Sequence, residues 1–273
     1  EDELSSILEP SGEFSKYFKN FEYRTQQVDM LRSVASAFSN QNHLMVEAGT
    51  GTGKSFAYLI PAAFWSLMNN HRVVISTNTI ALQDQLINKD IPDLCSALDI
   101  PLRSVVIKGR GNYLCPRRLE AFRFRGPETK EEMRVIAKIL VWLHYGGDAD
   151  RTRLNLNSPM EREIWQRLSA DDENCNAETC MAKAGGMCPF YQVRQAAQTA
   201  HILVVNHALL LSDVVTGSRV LPPYEYLIID EGHHLEGAST NTLSYRITQN
   251  DMQRILRELG SVSSGVLGRL VTS

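Results

Sequence analysis

Apolar residues fall along this chain in two rhythms. Five short runs are apolar almost without interruption: Leu44–Glu47, Val73–Thr77, Ser104–Ile107, Ile202–Val205 and Tyr226–Ile229. Continuous apolarity, rather than alternation, is what a parallel strand covered on both faces requires. Between most of these runs the apolar positions recur at helical spacing. Ser55–Asn69 predicts one helix. Ile80–Ile91, with Ile80, Leu82, Leu86 and Ile87 among polar neighbours, predicts another that Pro92 stops. Strands alternating with helices predict a layered α/β domain.

The alternation breaks after Gly109. Residues 111–193 offer no convincing strand. Thr129 with Glu132 predicts a capping box, opening a helix through Tyr145 that Gly146, Gly147 and Asp148 end. Ile136, Ile139, Leu140 and Leu143 give that helix an apolar face, and Met160–Leu168 predicts a second. The strand–helix rhythm resumes at about Val193. The expected organisation is a lead segment over 1–20, a discontinuous α/β domain over 21–110 and 194–240, and a helical insertion over 111–193. Residues 241–273 form a last segment, in which Met252, Ile255, Leu256 and Leu259 recur at helical spacing.

Composition narrows the classes. With 43% apolar residues in 273, the chain can build a real core. Its formal charge of -3 and pI of about 6.2 exclude a globally basic nucleic-acid binder, so any basic surface must be local. The longest apolar stretch, Tyr58–Met68, contains Pro61 and Ser66 and is too short for a membrane span. No secretory pattern opens the chain. It starts at Glu1 rather than Met, which suggests an excised segment or a processed product. Five cysteines in such a chain point to metal binding or redox chemistry rather than a disulfide framework. Cys95, among Ile91, Leu94 and Leu98, reads as a small core residue.

Two segments carry nucleotide chemistry. Ala48, Gly49, Thr50, Gly51, Thr52, Gly53, Lys54 and Ser55 form a phosphate loop whose usual first glycine is Ala48, between an expected strand and an expected helix. Glycines let backbone N–H groups turn toward phosphate oxygens, and the helix N-terminus adds partial positive charge. In that role Lys54 reaches the β/γ-phosphates of ATP, and Ser55 ligates Mg²⁺. Far downstream, Asp230 and Glu231 end an apolar strand. There Asp230 holds Mg²⁺ and Glu231 orients or deprotonates the attacking water.

Between these halves lie Cys115, Cys175, Cys180 and Cys188. Four thiolates at gaps of four and seven, with one distant member, allow zinc or an iron–sulfur cluster. The spacing tilts toward a cluster without deciding it. Around Cys115 the charge is local and basic. Arg103, Lys108, Arg110, Arg117, Arg118, Arg123 and Arg125 face one acid, Glu120, with Tyr113, Phe122 and Phe124 interleaved. Basic side chains track phosphates and aromatic faces stack unpaired bases, so this stretch predicts a single-strand contact surface.

Asp230-Glu231-Gly232-His233 resembles the Asp-Glu-x-His box of superfamily 2 helicases, with Gly232 in place of the commoner Ala. Arg24 and Gln27 resemble that family's adenine-reading motif. Ser76-Thr77-Asn78-Thr79 with Leu82, Gln83, Gln85 and Leu86 resembles its following DNA-contacting motif. The Lys108–Pro116 segment, Cys188-Pro189-Phe190-Tyr191 and the Val204–Leu210 segment resemble the DinG/XPD iron–sulfur helicases, the bacterial DinG branch most of all. The resemblance runs from about Phe21 to Leu235.

That resemblance implies an α/β, RecA-like parallel sheet with helices on both faces, interrupted by a small helical iron–sulfur domain. It implies a [4Fe–4S] cluster on the four cysteines, and coupling of the ATP site to nucleic acid through His233. It reads residues 241–273 as the start of a helical arch. The implied activity is that of an ATP-dependent 5′→3′ DNA helicase on single-stranded and duplex-junction DNA in repair or replication. The implied setting is the bacterial cytoplasm, at the nucleoid, with no membrane. The second motor domain of such enzymes is absent from these residues, so the chain alone is expected to bind nucleotide and turn over ATP poorly. Two other readings stay open: a redox-sensing DNA-binding module with a vestigial ATPase, and a zinc-bound nucleotide switch.

Overall fold

The computed structural model describes residues 2–49, 51–171, 178, 180, 188–218 and 220–244, and positions 249, 252, 256, 259 and 260. Thr50, Cys175, Ile255 and most of residues 241–273 lie outside the described residues. Among the described residues four strands form one parallel sheet in the order β2-β3-β1-β4. They are β1 (Val73–Thr77), β2 (Ser104–Val106), β3 (Ile202–Asn206) and β4 (Tyr226–Ile229). Val73 stands opposite both Ile202 and Tyr226. Helices run along the chain as α1 (Asp2–Ser6), α2 (Glu13–Tyr17), α3 (Thr25–Asn40), α4 (Lys54–Asn69), α5 (Ile80–Gln85) and α6 (Ile91–Leu98). They continue as α7 (Pro116–Arg125), α8 (Lys130–His144), α9 (Pro159–Leu168), α10 (Pro189–Gln198), α11 (His207–Val215) and α12 (Leu235–Leu243).

The period of two along each strand explains why apolar residues stand at successive positions. Val73 and Ile75 of β1, with Ile202 and Val204 of β3, face a core shared with Leu31 of α3, Leu59 of α4 and Leu94 of α6. Val74, Leu203 and Val205 point the other way, to Ala197 of α10 and to Leu209 and Leu210 of α11. Each such buried side chain contributes roughly 1.5–3 kcal/mol. The central strands β1 and β3 are covered on both faces, as the sequence predicts, while Leu227 and Ile229 of β4 remain exposed.

The helical region between β2 and β3 has its own core. Leu119 and Phe122 of α7, Val135, Ile136 and Ile139 of α8, and Ile164, Trp165 and Leu168 of α9 pack together. The α8 face is rotated from the expected one: Val135 is buried while Leu140 is 38% exposed. Trp165 is fully buried and donates from Nε1 to the Gly111 carbonyl at 2.7 Å. Backbone bonds from Leu114 to Ala149, Cys115 to Leu168 and Ala170 to Tyr113 fix the base of the region.

Three sequence expectations change. Leu44–Glu47 forms no strand. Its residues are exposed, Met45 at 96%, and β4 is left as the edge of the sheet. Strand preference is mostly the gain from packing on a pleated, half-buried surface, and without a ladder partner these side chains gain none. The helix over Ile80–Ile91 is interrupted by a π-helical turn, Leu86–Asp90, and Pro92 does not stop it. Pro92 instead sits in the first turn of α6, where its missing N–H costs nothing. The capping box at Thr129 is half formed. Thr129 accepts from Glu132 N–H at 3.1 Å, but the Glu132 carboxylate takes the Glu128 N–H at 2.9 Å. The complete box lies at α9, where Ser158 and Glu161 satisfy each other's N–H groups.

Candidate nucleotide site and cysteine centre

Parallel strands bring their C-terminal ends to one edge, and the polar residues of the nucleotide segments gather there. Gly53, at φ 79°, turns the chain into α4. A Cβ on Gly53 would lie 2.3 Å from Gln27 Nε2, so glycine is demanded both by the left-handed backbone and by the close approach. That approach is a hydrogen bond: buried Gln27 donates Nε2 to the Gly53 carbonyl at 2.9 Å. Arg24 donates to the Gly51 carbonyl and pairs with Glu22 at 2.8 Å. Thr52 Oγ1 donates to the Gly49 carbonyl at 2.9 Å. Ala48 is half-buried beside them. Arg24 and Gln27 therefore brace two of the loop's carbonyls, those of Gly51 and Gly53.

Lys54 Nζ lies 3.0 Å from Glu231 Oε1. The Lys54 ammonium holds the Glu231 carboxyl below its usual range, against the opposing effect of burial. Asp230 moves the other way: burial and the neighbouring Glu231 charge raise it. The pair is thus divided into one readily ionised carboxylate and one whose charged form is disfavoured by burial and by its neighbour. Glu231 adopts the left-handed conformation, φ 54°, and opens the short turn Gly232–His234. His233 is exposed, with Nδ1 3.5 Å from Glu231 Oε2, and its ring stacks near His234 with centroids 4.0 Å apart.

Neighbours of this site escape a motif reading. Tyr58, one turn into α4, directs its hydroxyl at Asp230 Oδ2 at 3.4 Å, and burial first, then the Asp230 charge, raises its pKa well above the usual value. The π-helical turn delivers buried Asp90 to the same edge, where Gln85 donates to it at 3.2 Å. Its carboxyl is raised by burial, against a hydrogen bond from Ser55. Ser76 accepts the Asp230 N–H at 2.8 Å through its carbonyl, and its Oγ lies 2.7 Å from His207 Nδ1. His207 is buried, which lowers its pKa. Helical spacing placed Tyr58 on α4, but only the fold shows that it meets Asp230.

Cys115, Cys180 and Cys188 are buried in one cluster with Tyr113, Ala170 and Phe190. No disulfide joins them, and Cys175 lies outside the described residues. Cys115 precedes α7 and Cys188 precedes α10, each followed by a proline in the first helical turn. Among the described residues no three metal-ligating side chains stand close enough to hold a metal ion. Cys115, Cys180 and Cys188 share this buried cluster as free thiols, which keeps them available as soft ligands, although their side chains do not gather around one point. Cys95 is partly buried against the main core, and burial raises its thiol pKa.

The basic stretch does not form one surface. Tyr113 and Phe122 are core residues and Lys108 is buried. Arg103 bonds Thr199 and His201 at the start of β3, the end of the sheet opposite the nucleotide segments. Arg110 lies over the Phe190 ring at 5.0 Å. Of the interleaved aromatics, Phe124 is exposed, at 96%, between exposed Arg123 and Arg125. No helix among the described residues is long and apolar enough to cross a membrane.

Two family models match the chain: "DEAD/DEAH box helicase" over residues 27–113 and "DEAD_2" over residues 157–252. Together with the parallel sheet and the loop–carboxylate pair at its edge, they define a RecA-like helicase-type α/β domain. Similar curated proteins include "3'-5' exonuclease DinG" of Bacillus subtilis, 32% identical over 94% of this chain and 27% of the relative. "ATP-dependent DNA helicase YoaA" of Haemophilus influenzae is 30% identical over 96% of this chain and 41% of its own length. "ATP-dependent helicase DinG" of Mycobacterium tuberculosis is 34% identical over 86% and 38%. Within the helicase class the chain is similar to DinG-like proteins along most of its length. It spans 27–41% of the length of these three relatives.

Proposed function

We propose that these residues are the nucleotide-binding motor domain of an ATP-dependent 5′→3′ DNA helicase of the DinG type. One observation carries this reading. Lys54 of the phosphate loop and Glu231 of the Asp-Glu-Gly-His box, 177 positions apart, meet at 3.0 Å on the edge to which a nucleotide's phosphates would bind. On this reading Ala48–Ser55 cradles the phosphates with backbone N–H groups, and Lys54 exchanges its contact with Glu231 for the γ-phosphate. Ser55 and Asp230 hold Mg²⁺, which neutralises charge on the phosphates. Glu231, freed from Lys54, orients the attacking water, and exposed His233 reports the state of Glu231 to bound DNA. Arg24 and Gln27 hold the loop from behind, at the side where adenine would lie.

The domain organisation follows from this reading. Residues 21–110 and 194–240 form the motor, 111–193 the inserted helical domain, 1–20 a lead segment, and 241–273 the start of an arch. The cysteines suit a [4Fe–4S] cluster, with Cys115, Cys175, Cys180 and Cys188 as its thiolate ligands. The burial of Cys115, Cys180 and Cys188 in one cluster beside Tyr113 and Phe190, as free thiols, supports it. Single-stranded DNA and duplex junctions are the proposed substrates, and the bacterial nucleoid the proposed location. Phe124 with Arg123 and Arg125 is the part of the basic stretch open to a strand.

The test is ATP hydrolysis by the full-length protein with and without single-stranded DNA, alongside strand displacement on a 5′-tailed duplex. Stimulation by DNA and displacement from the 5′ tail are expected. The 273-residue chain alone is expected to bind Mg-ATP and hydrolyse it slowly. Hydrolysis indifferent to DNA in the full-length protein would remove the motor reading.

A further inference from the structure

Lys108 was grouped by sequence with the DNA-facing cations, but its side chain is 3% exposed. Its ammonium meets Asp150 Oδ2 at 2.7 Å, Thr152 Oγ1 at 2.9 Å and Asp84 Oδ1 at 3.2 Å. An ammonium has three protons to donate, and here three acceptors take them. The acceptors come from two separate parts of the molecule. Asp84 lies on α5, which follows β1 and belongs to the segment resembling a DNA-contacting motif. Asp150 caps, and Thr152 lies in, the 3₁₀ turn Arg151–Arg153 that links α8 to α9 in the helical region. Lys108 itself sits where the chain leaves the sheet after β2.

The surroundings hold this ammonium in place. Its backbone N–H donates to the buried Tyr113 hydroxyl at 3.0 Å. Asp150 Oδ1 accepts the Thr152 N–H at 3.0 Å, which fixes the carboxylate that faces Lys108. A desolvated ammonium is costly unless paired, so Lys108 cannot swing out to solvent without leaving Asp150 uncompensated. Beside it a cleft of about 340 Å³ separates Ile80, at the start of α5, from Asn112, Arg151, Thr152 and Leu156 of the helical region. The two walls of that cleft are thus joined through one buried cation.

We propose that Lys108 is a positioning residue that couples α5 to the helical region across this cleft, so that nucleic acid engaged at one wall moves the other. The inference rests on the motor reading above. It assigns Lys108 no contact with phosphate. Asp84 is the separable half of the bridge. Its side chain is 41% exposed, and its loss leaves Lys108 bonded to Asp150 and Thr152.

The test uses the full-length protein and Asp84→Asn, with Lys108→Met as a second variant. Asp84→Asn is expected to keep the wild-type melting temperature, iron content and DNA-free ATP hydrolysis. Its stimulation by single-stranded DNA and its strand displacement are expected to fall roughly tenfold, within the usual range of site–site coupling. Lys108→Met is expected to lose the same coupling and also to melt earlier. Full DNA stimulation in Asp84→Asn, with only a lowered melting temperature in Lys108→Met, marks a purely structural ammonium and overturns the proposal. If the wild-type protein itself shows no response to DNA, the motor reading fails first, and the coupling proposal with it.

Discussion

Lys54 and Glu231 meet because β4 ends beside the start of α4, which packs on the sheet, whereas Cys115, Cys180 and Cys188 share one buried cluster because helices are tied together at their bases. The first site is made of backbone: glycines in a loop, a left-handed turn at Glu231, carbonyls braced by Arg24 and Gln27. The second is made of side chains brought in by a small separate core around Trp165. A site of the first kind is specified by local sequence and survives as long as the sheet does. A site of the second kind depends on long-range packing, and its stability is that of the small core beneath it. The two should therefore be separable by mutation.

The largest separation is expected from Lys54→Ala. Removing a charge aimed at the transferred phosphate costs about 10²–10³ in rate where such groups have been deleted. ATP hydrolysis by the full-length protein should fall by roughly that factor, while the visible spectrum and metal content stay as in wild type. A change in metal content would mean that the two regions are not independent.

Trp165→Ala attacks the other side. Truncating a fully buried aromatic costs about 3–5 kcal/mol, and here the Gly111 carbonyl also loses its donor. Urea unfolding followed by hydrogen exchange should show the helical region opening early, with Mg-ATP binding retained. Loss of nucleotide affinity in the same variant would break the comparison. Ser158→Ala removes half of the α9 capping box and should lower the stability of the same region by about 1 kcal/mol.

A smaller effect is set by pH. The Lys138 ammonium, 2.6 Å from Glu161, holds that carboxyl below its usual range despite its burial. A carboxyl with a depressed folded pKa stabilises the fold above the unfolded value, roughly 4.3, and that stability is lost as pH falls through the folded value. Protection of the amides of α8 and α9, corrected for the pH dependence of chemical exchange, should fall as pH drops below about 4, and Lys138→Met should flatten that dependence. An unchanged profile would show that the pair contributes nothing there.

The sheet was legible because β1 and β3 open on uninterrupted apolar residues, Val73–Ile75 and Ile202–Val205, buried on both faces. Leu44–Glu47 has the same composition and no ladder partner, and a sequence carries no record of which apolar run finds one. Lys54, Asp230 and Glu231 were legible from their motifs. Tyr58, Asp90 and His207 were not, because each meets the site only through the fold. Asp90 arrives through a π-helical turn that Pro92 disguises as a helix stop. Lys108 was misread for a related reason: charge is visible in sequence, but the partners that bury it, Asp84 and Asp150, lie 24 and 42 positions away.

The account stands or falls on whether the nucleotide motor carries a thiolate-bound centre in its helical region. Iron, acid-labile sulfide and the visible spectrum, measured anaerobically on wild type and Cys180→Ser, test it most directly. The account predicts iron and sulfide in equal amounts with a sulfur-to-iron absorption band in wild type, and loss of all three in Cys180→Ser with Mg-ATP binding intact. A colourless wild-type protein containing zinc, or a Cys180→Ser variant that keeps its full cluster, would contradict it.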